Sequence, residues 1–321
     1  MGARAVDVPA LVDSARAGTP RAVARLVSLV EDAHPALREV MAALVPHAGR
    51  AWVIGLTGAP GVGKSTSTSL LISAFRGRGL RVGVLAVDPS SPFSGGALLG
   101  DRIRMQDRPH DPGVYIRSLA TRGHLGGLSA ATPQAIRVLD AAGFDVVLVE
   151  TVGVGQSEVE IAGLADTSVV LLAPGMGDGI QAAKAGILEI GDVFVVNKAD
   201  HPGAEATVHD LRRMVSLAER AAPGGWRPPV VRTAALQRVG LDRLMQALDK
   251  HRAHLDETGE LCRRRERRAA DEIEQLALER LRTRLEAVEG QDGLGALSAA
   301  LAAGRIDPYA AVDVLLAHAD R

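Results

Sequence analysis

Between Gly58 and Ser65 the chain reads Gly58-Ala59-Pro60-Gly61-Val62-Gly63-Lys64-Ser65, a glycine-rich turn closed by a lysine and a hydroxyl. The glycines permit positive φ and close backbone approach, so successive N–H groups and the start of a following helix can face phosphate oxygens. Lys64 is placed to neutralise charge on β- and γ-phosphates, and the Ser65 hydroxyl to bind Mg²⁺. An ordinary turn with a surface lysine is the alternative. The flanks argue against it, because Trp52 to Thr57 is a buried-strand pattern and Ser65 to Phe75 continues as a helix.

Two later segments complete such a site. The apolar run Phe144 to Val149 delivers Glu150 to a strand's carboxyl end, where open α/β sheets bind ligands and a carboxylate can hold Mg²⁺ through water. Three residues on, Gly153 can offer its N–H to a γ-phosphate oxygen, which makes the loop from Val152 to Glu158 a switch that phosphate loss would free. Gln156 is a candidate for orienting the attacking water. After the apolar run Val193 to Val196 come Asn197, Lys198 and Asp200. An Asp carboxylate accepts from guanine N1–H and the 2-amino group, donors that adenine lacks there, and because a buried acceptor left unpaired is costly, such a site can discriminate by roughly 10⁴ or more. Lys198 would lay its methylene stem along the base, Asn197 would tie this loop to the Gly58–Ser65 turn, and Thr233 and Ala234 form the last base-side loop. Together these segments specify GTP or GDP as the ligand, with Mg²⁺.

The elements that must position these residues follow from alternating patterns. Strands are predicted at Trp52 to Thr57, Leu80 to Asp88, Val114 to Leu119, Phe144 to Glu150, Thr167 to Ala173, Val193 to Lys198 and Pro229 to Thr233, separated by helical stretches. That order is α/β, a doubly wound and mostly parallel sheet. Three regions are expected: an N-terminal helical extension over 1–48, the nucleotide domain over 49–250, and a C-terminal helical arm over 251–321. In the extension, Val23, Leu26, Val27 and Val30, then Leu37, Val40, Met41 and Leu44, recur at helical spacing on either side of Pro35. In the arm, Leu278, Leu281, Leu285 and Val288 make a seam, read as a homodimer contact in preference to a packing face within one chain. Gly290 to Gly295 interrupts it, and two shorter helices follow, Ala296 to Ala303 and Pro308 to His318.

Composition narrows the class. A net charge of −1 over 321 residues gives no electrostatic reason to expect nucleic acid. The one cysteine, Cys262, excludes an internal disulfide framework and fits a reducing compartment. No apolar run reaches membrane-spanning length and the start lacks a signal-peptide pattern, so a cytoplasmic protein without a membrane partner is expected. Arg263 to Arg268 beside Asp271, Glu272 and Glu274 reads as a solvated helix face. His251 and His254, at i,i+3, could share a metal but read as structural.

At these motifs the chain resembles the MeaB/ArgK-type G-proteins, methylmalonyl-CoA mutase-associated GTPases that serve adenosylcobalamin-dependent mutases. The resemblance runs through Gly58 to Thr66, Ala86-Val87-Asp88-Pro89-Ser90-Ser91, Glu150 to Ser157, Gly175 to Lys184 and Asn197 to Asp200, and the flanking helices suit it. It implies that Asp88 and Asp101 lie around the metal and the hydrolytic water, and that Gly175 to Lys184 is a third mobile segment that senses nucleotide and contacts the client. There Asp178, Gln181 and Lys184 fall at helical spacing; a plain helix start with Asp178 as cap is the competing view. His124, in a glycine-rich stretch, has no assigned role. The implied activity is Mg²⁺-dependent GTP hydrolysis that gates adenosylcobalamin loading onto, or protection of, a partner acyl-CoA mutase. The alternatives are an ATP-dependent kinase of an amino-acid transport system, a metal-insertion GTPase, whose usual His-rich or Cys-rich tracts are missing here, and a nucleotide-bound scaffold without turnover.

Overall fold

Strands that are apolar on both faces are stable only when helices cover both sides of a sheet, the condition that parallel sheets meet. The computed structural model describes residues 6–88, 111–120, 131–151, 157–175, 189–221, 225–288 and 293–319. All seven predicted strands form: β1 (Trp52–Thr57), β2 (Val82–Asp88), β3 (Val114–Ala120), β4 (Val146–Thr151), β5 (Thr167–Leu172), β6 (Val193–Val196) and β7 (Val230–Arg232). They make one sheet in the order β3-β2-β4-β1-β5-β6-β7. Every neighbouring pair is parallel, so the sheet is wholly parallel among the described residues rather than mostly so. From β1 the chain goes toward the β2 edge, and from β4 it crosses back over β1 to β5. The carboxyl ends of β1 and β4 therefore border the crevice where such sheets take ligands.

Alternation along β1 divides the core. Trp52, Ile54 and Leu56 face Leu71 and Phe75 of α4 (Lys64–Gly77) and Leu244 and Leu248 of α8 (Leu241–Thr258). Val53, with Val147 and Val149 of β4, faces Val138 and Leu139 of α5 (Ala131–Ala141) and Ile161 of α6 (Ser157–Leu164) on the other side. Each such fully buried large side chain contributes about 1.5–3 kcal/mol. The predicted N-terminal helical segment forms three helices, α1 (Val8–Arg16), α2 (Pro20–Glu31) and α3 (Leu37–Leu44), whose Leu26, Val27 and Leu44 extend this second core. Asp140, near the end of α5, fixes the passage from these helices into β1: its carboxylate accepts from the backbone N–H groups of Gly49, Arg50 and Ala51. Beyond β1, Val170 and Leu172 of β5 and Phe194 of β6 pack on Val208 and Leu211 of α7 (Ala204–Ala221).

The chain divides into two compact units, residues 1–264 and 265–321. The boundary falls inside α9 (Glu260–Glu286), which continues into the second unit. Within that unit α10 (Leu294–Ala302) and α11 (Pro308–Ala319) pack on each other, and Leu278 and Leu281 of the predicted seam are exposed.

One arginine departs from the expected solvated face. Arg264 donates through both terminal nitrogens to the Asp192 carboxylate at 2.9 Å, and its Nη1 also donates to the Asp166 carbonyl at 3.0 Å. The contact is invisible to charge patterning, because Asp192 lies just before β6, more than seventy residues earlier in the chain. Asp192 also accepts from the Ser168 N–H at 2.8 Å, and the buried His251 places Nε2 3.2 Å from its Oδ1. His251 Nδ1 lies 2.9 Å from the Thr167 hydroxyl, which accepts from Trp52 Nε1 at 3.0 Å, so His251 serves structure as its sequence suggested.

Burial alone would push the Asp192 carboxyl up, but His251 and Arg264 outweigh it and hold the group below the usual carboxylate range. A lowered native pKa stabilises the fold above the unfolded value, about 3.9, and that contribution disappears as pH falls through the native one. Denaturant midpoints should therefore show an advantage of the wild type over Asp192→Asn that holds above about pH 4 and shrinks below it; a gap independent of pH would remove the carboxylate's charge from the account. Arg264→Ala, which strands a buried carboxylate, should cost about 2–4 kcal/mol in the same assay.

Candidate functional site

The buried strand β1 ends at the turn, where Gly58, Gly61 and Gly63 have φ of 138°, 78° and 96°. Two of these positions also lack room for a side chain. A Cβ on Gly58 would fall 2.2 Å from the Leu171 carbonyl oxygen of β5, and one on Gly63 2.3 Å from Asn197 Nδ2. The turn is thus moulded against the strand and the side chain beside it. Ala59 and Pro60 form its outer lip, Val62 is buried, and Lys64, Ser65 and Thr66 open α4. The buried Lys64 folds back so that Nζ donates to the carbonyls of Gly58 at 2.7 Å and Ala59 at 3.0 Å. An ammonium on the loop backbone and a helix N-terminus behind it together make an anion site.

Glu150 meets this turn from β4. It is buried, and its two oxygens accept from two hydroxyls of α4, Ser65 at 2.6 Å and Thr68 at 2.8 Å. The structure thus brings together two of the predicted metal residues. Thr68 was not foreseen. Its signal is spacing, since Ser65 and Thr68 are i,i+3 on one helix and share a face. The donors gathered here are hard oxygens, as Mg²⁺ requires, and that ion takes only one or two protein ligands when substrate phosphates and water fill the rest. Glu150 is in register with Leu56 of β1 and Ala86 of β2, and Asp88 ends β2 two residues farther on, at the same rim. The Asp88 side chain lies outside the described residues, as do Asp101, His124, Gly153, Gln156, Asp178, Gln181 and Lys184.

The base side is organised by Asn197, a buried residue that follows β6. Its Nδ2 donates to the Val62 carbonyl in the glycine-rich turn at 2.8 Å, the tie expected from sequence. Its Oδ1 accepts from the Thr233 hydroxyl and the Ala235 N–H, each at 3.1 Å. The Ala199 N–H donates to the Thr233 carbonyl at 2.9 Å, so Thr233 and Ala234 stand beside the Asn197–Asp200 loop. Lys198 adopts φ of 55°, a left-handed conformation that an ordinary turn does not ask of a lysine. Asp200 accepts at Oδ2 from Gln237 Nε2 at 3.1 Å and lines an open cleft of about 500 Å³ together with Arg232, Ala234 and Gln237. The Gln237 contact had no signal in the sequence, because a glutamine in a polar loop is ordinary.

Residues 23–290 match the family model for the methylmalonyl-CoA mutase-associated GTPase MeaB. A Pyrococcus abyssi protein that bears a GTPase name is 47% identical over 307 residues, with 95% of each chain covered. GTPase ArgK of Escherichia coli is 35% identical over 284 residues, with 86% of each covered. Among solved structures, one titled as a LAO/AO transport system kinase superposes with a TM-score of 0.74 at 27% identity and covers 100% of both chains.

Asn197→Ala would remove the side chain that joins the turn to both base-side loops and leave the Val62 carbonyl and Thr233 hydroxyl to find new partners. The expected cost is about 2–4 kcal/mol by denaturant unfolding and at least a tenfold loss of guanine-nucleotide affinity by fluorescence titration. Unchanged affinity would mean that these loops do not act as one site.

Proposed function

The chain belongs to the MeaB family of methylmalonyl-CoA mutase-associated GTPases, and from that membership we propose that its Mg²⁺-dependent conversion of GTP to GDP and phosphate gates adenosylcobalamin loading onto, or protection of, a partner acyl-CoA mutase. The observation that carries the nucleotide part of this reading is the Asn197 side chain, which bonds at once to the phosphate-side turn and to the base-side loops. A residue so placed has a purpose where one ligand spans both.

In the mechanism, the N–H groups of the Gly58–Ser65 turn and the Lys64 ammonium stabilise negative charge that builds on the transferring phosphoryl group. Ser65 and Glu150 would hold Mg²⁺, which when bound neutralises β- and γ-oxygen charge; Asp88 and Asp101 are proposed to complete its surroundings and those of the attacking water. Thr68 fixes Glu150 through its second oxygen and so sets the carboxylate's direction. Asp200 selects guanine, and the backbone N–H of Gly153 is proposed to bind the γ-phosphate and to release the Val152–Glu158 loop after hydrolysis.

The residues Asp178, Gln181 and Lys184 are assigned to the segment that meets the client mutase. Leucines exposed along α9 support the homodimer reading of the arm. No helix among the described residues is long and apolar enough to cross a membrane, in keeping with the proposed cytoplasmic site of action.

Two measurements test this reading. Lys64→Ala should lower single-turnover phosphate release by at least a hundredfold, about 2.7 kcal/mol or more of lost transition-state stabilisation; wild-type turnover in that variant would refute the assignment. Affinity capture with the tagged full chain should recover an adenosylcobalamin-dependent mutase, and adding that mutase should change the rate of GTP hydrolysis. Tight binding of ATP in place of GTP would instead favour a kinase.

A further inference from the structure

Asp200 is the group assigned to read guanine, yet it sits at the edge of an open cleft, where an unsupported carboxylate would sample several rotamers. We propose that Gln237 is a positioning residue that holds the Asp200 carboxylate for the base and thereby sets the preference for guanine over purines that lack the 2-amino group. This inference rests on the assignment of Asp200 to the base edge.

The geometry supports it from three sides. First, Gln237 Nε2 donates to Asp200 Oδ2 at 3.1 Å. An ionised carboxylate has about four lone-pair positions, so one bond to Oδ2 leaves enough for two donors from the base. Second, the loop that presents Gln237 is fixed. Ala234 and Val239 exchange backbone hydrogen bonds at 3.0 and 3.2 Å, Gln237 N–H donates to the Ala234 carbonyl at 2.9 Å, and Ala235 N–H is held by Asn197. Gly240, with φ of 83° and a hypothetical Cβ only 2.1 Å from the Arg232 carbonyl oxygen, closes the turn without room for a side chain. Third, the nearer loop offers no substitute. The Thr233 hydroxyl is directed at Asn197, and Ala234 and Ala235 have no polar side-chain atoms. His201 Nε2 stands 3.8 Å from the same Asp200 oxygen, beyond hydrogen-bond distance.

Guanine draws on both carboxylate oxygens, through N1–H and the 2-amino group, whereas hypoxanthine offers only N1–H. Loss of the anchor should therefore weaken the two-donor base more than the one-donor base. Calorimetric affinities for GDP and IDP in the full-length wild type, Gln237→Ala and Asp200→Asn separate the possibilities. In Gln237→Ala the GDP-to-IDP affinity ratio should fall roughly three- to tenfold. KM for GTP should rise with kcat little changed, and thermal stability should stay within a degree or so, because Gln237 is exposed. An unchanged ratio, or tighter GDP binding that shows Gln237 to compete with the base, would overturn the proposal. Asp200→Asn serves as the control for the underlying assignment. If it keeps the wild-type ratio, Asp200 does not read the base and both ideas fall; if it abolishes the preference while Gln237→Ala does not, only the role of Gln237 is lost.

Discussion

One buried side chain sets the geometry of the whole rim. Asn197 donates to the Val62 carbonyl and accepts from Thr233 and Ala235, so it fixes the distance between the phosphate-side turn and the base-side loops. Its amide has a donor end and an acceptor end, and both are used in opposite directions, which an Asp or a Leu of similar size could not do. The same side chain lies where a Cβ on Gly63 would be, so the glycine and the asparagine specify each other. Either residue alone would be commonplace; together they fix where β1 and β6 release the chain.

A second constraint acts within the phosphate side. A carboxylate buried as deeply as Glu150 is costly unless its oxygens are hydrogen-bonded, and both are, by hydroxyls from successive turns of α4. α4 is thereby joined at its start to β4 as well as to β1. Its far end is held too, where Arg76 donates twice at 2.9 Å to Asp111 ahead of β3 and Arg78 pairs with Asp249 of α8. The second of these pairs is exposed and contributes little by itself, but the helix is pinned along its length by Leu71 and Phe75 in the core.

Much of this was legible in the chain. The inner strands announced themselves because strands apolar on both faces form short, near-continuous runs, the outer β3 and β7 are more mixed, and the bounds of all seven shifted by at most two residues at either end. Asn197 to Val62 was also foreseeable, since the residue types and their order imply a tie between the loops. What could not be read were contacts between residues far apart in sequence whose types are ordinary. Thr68 on Glu150 and Gln237 on Asp200 are of this kind, and Arg264 on Asp192 more so, because a run of arginines is usually solvated. Periodicity reports which face of an element is buried; it does not report which polar partner waits there. The three-helix division of the N-terminal segment lies between these cases, with Pro35 visible as a break and the turn before Pro20 not read as one.

These fixed contacts also limit where movement can arise when the terminal phosphate is lost. α4 and the strands are locked by buried side chains, so a displacement of the helix would break the Glu150 bonds, the packing of the glycine-rich turn and core contacts together, at a cost of many kcal/mol. Asn197 resists relative motion of the two ends of the site for the same reason. Any change that follows has to leave these bonds in place. On the proposed reading, a scaffold held this firmly would leave the response to loops that touch the γ-phosphate, because deformation of the scaffold would not absorb it.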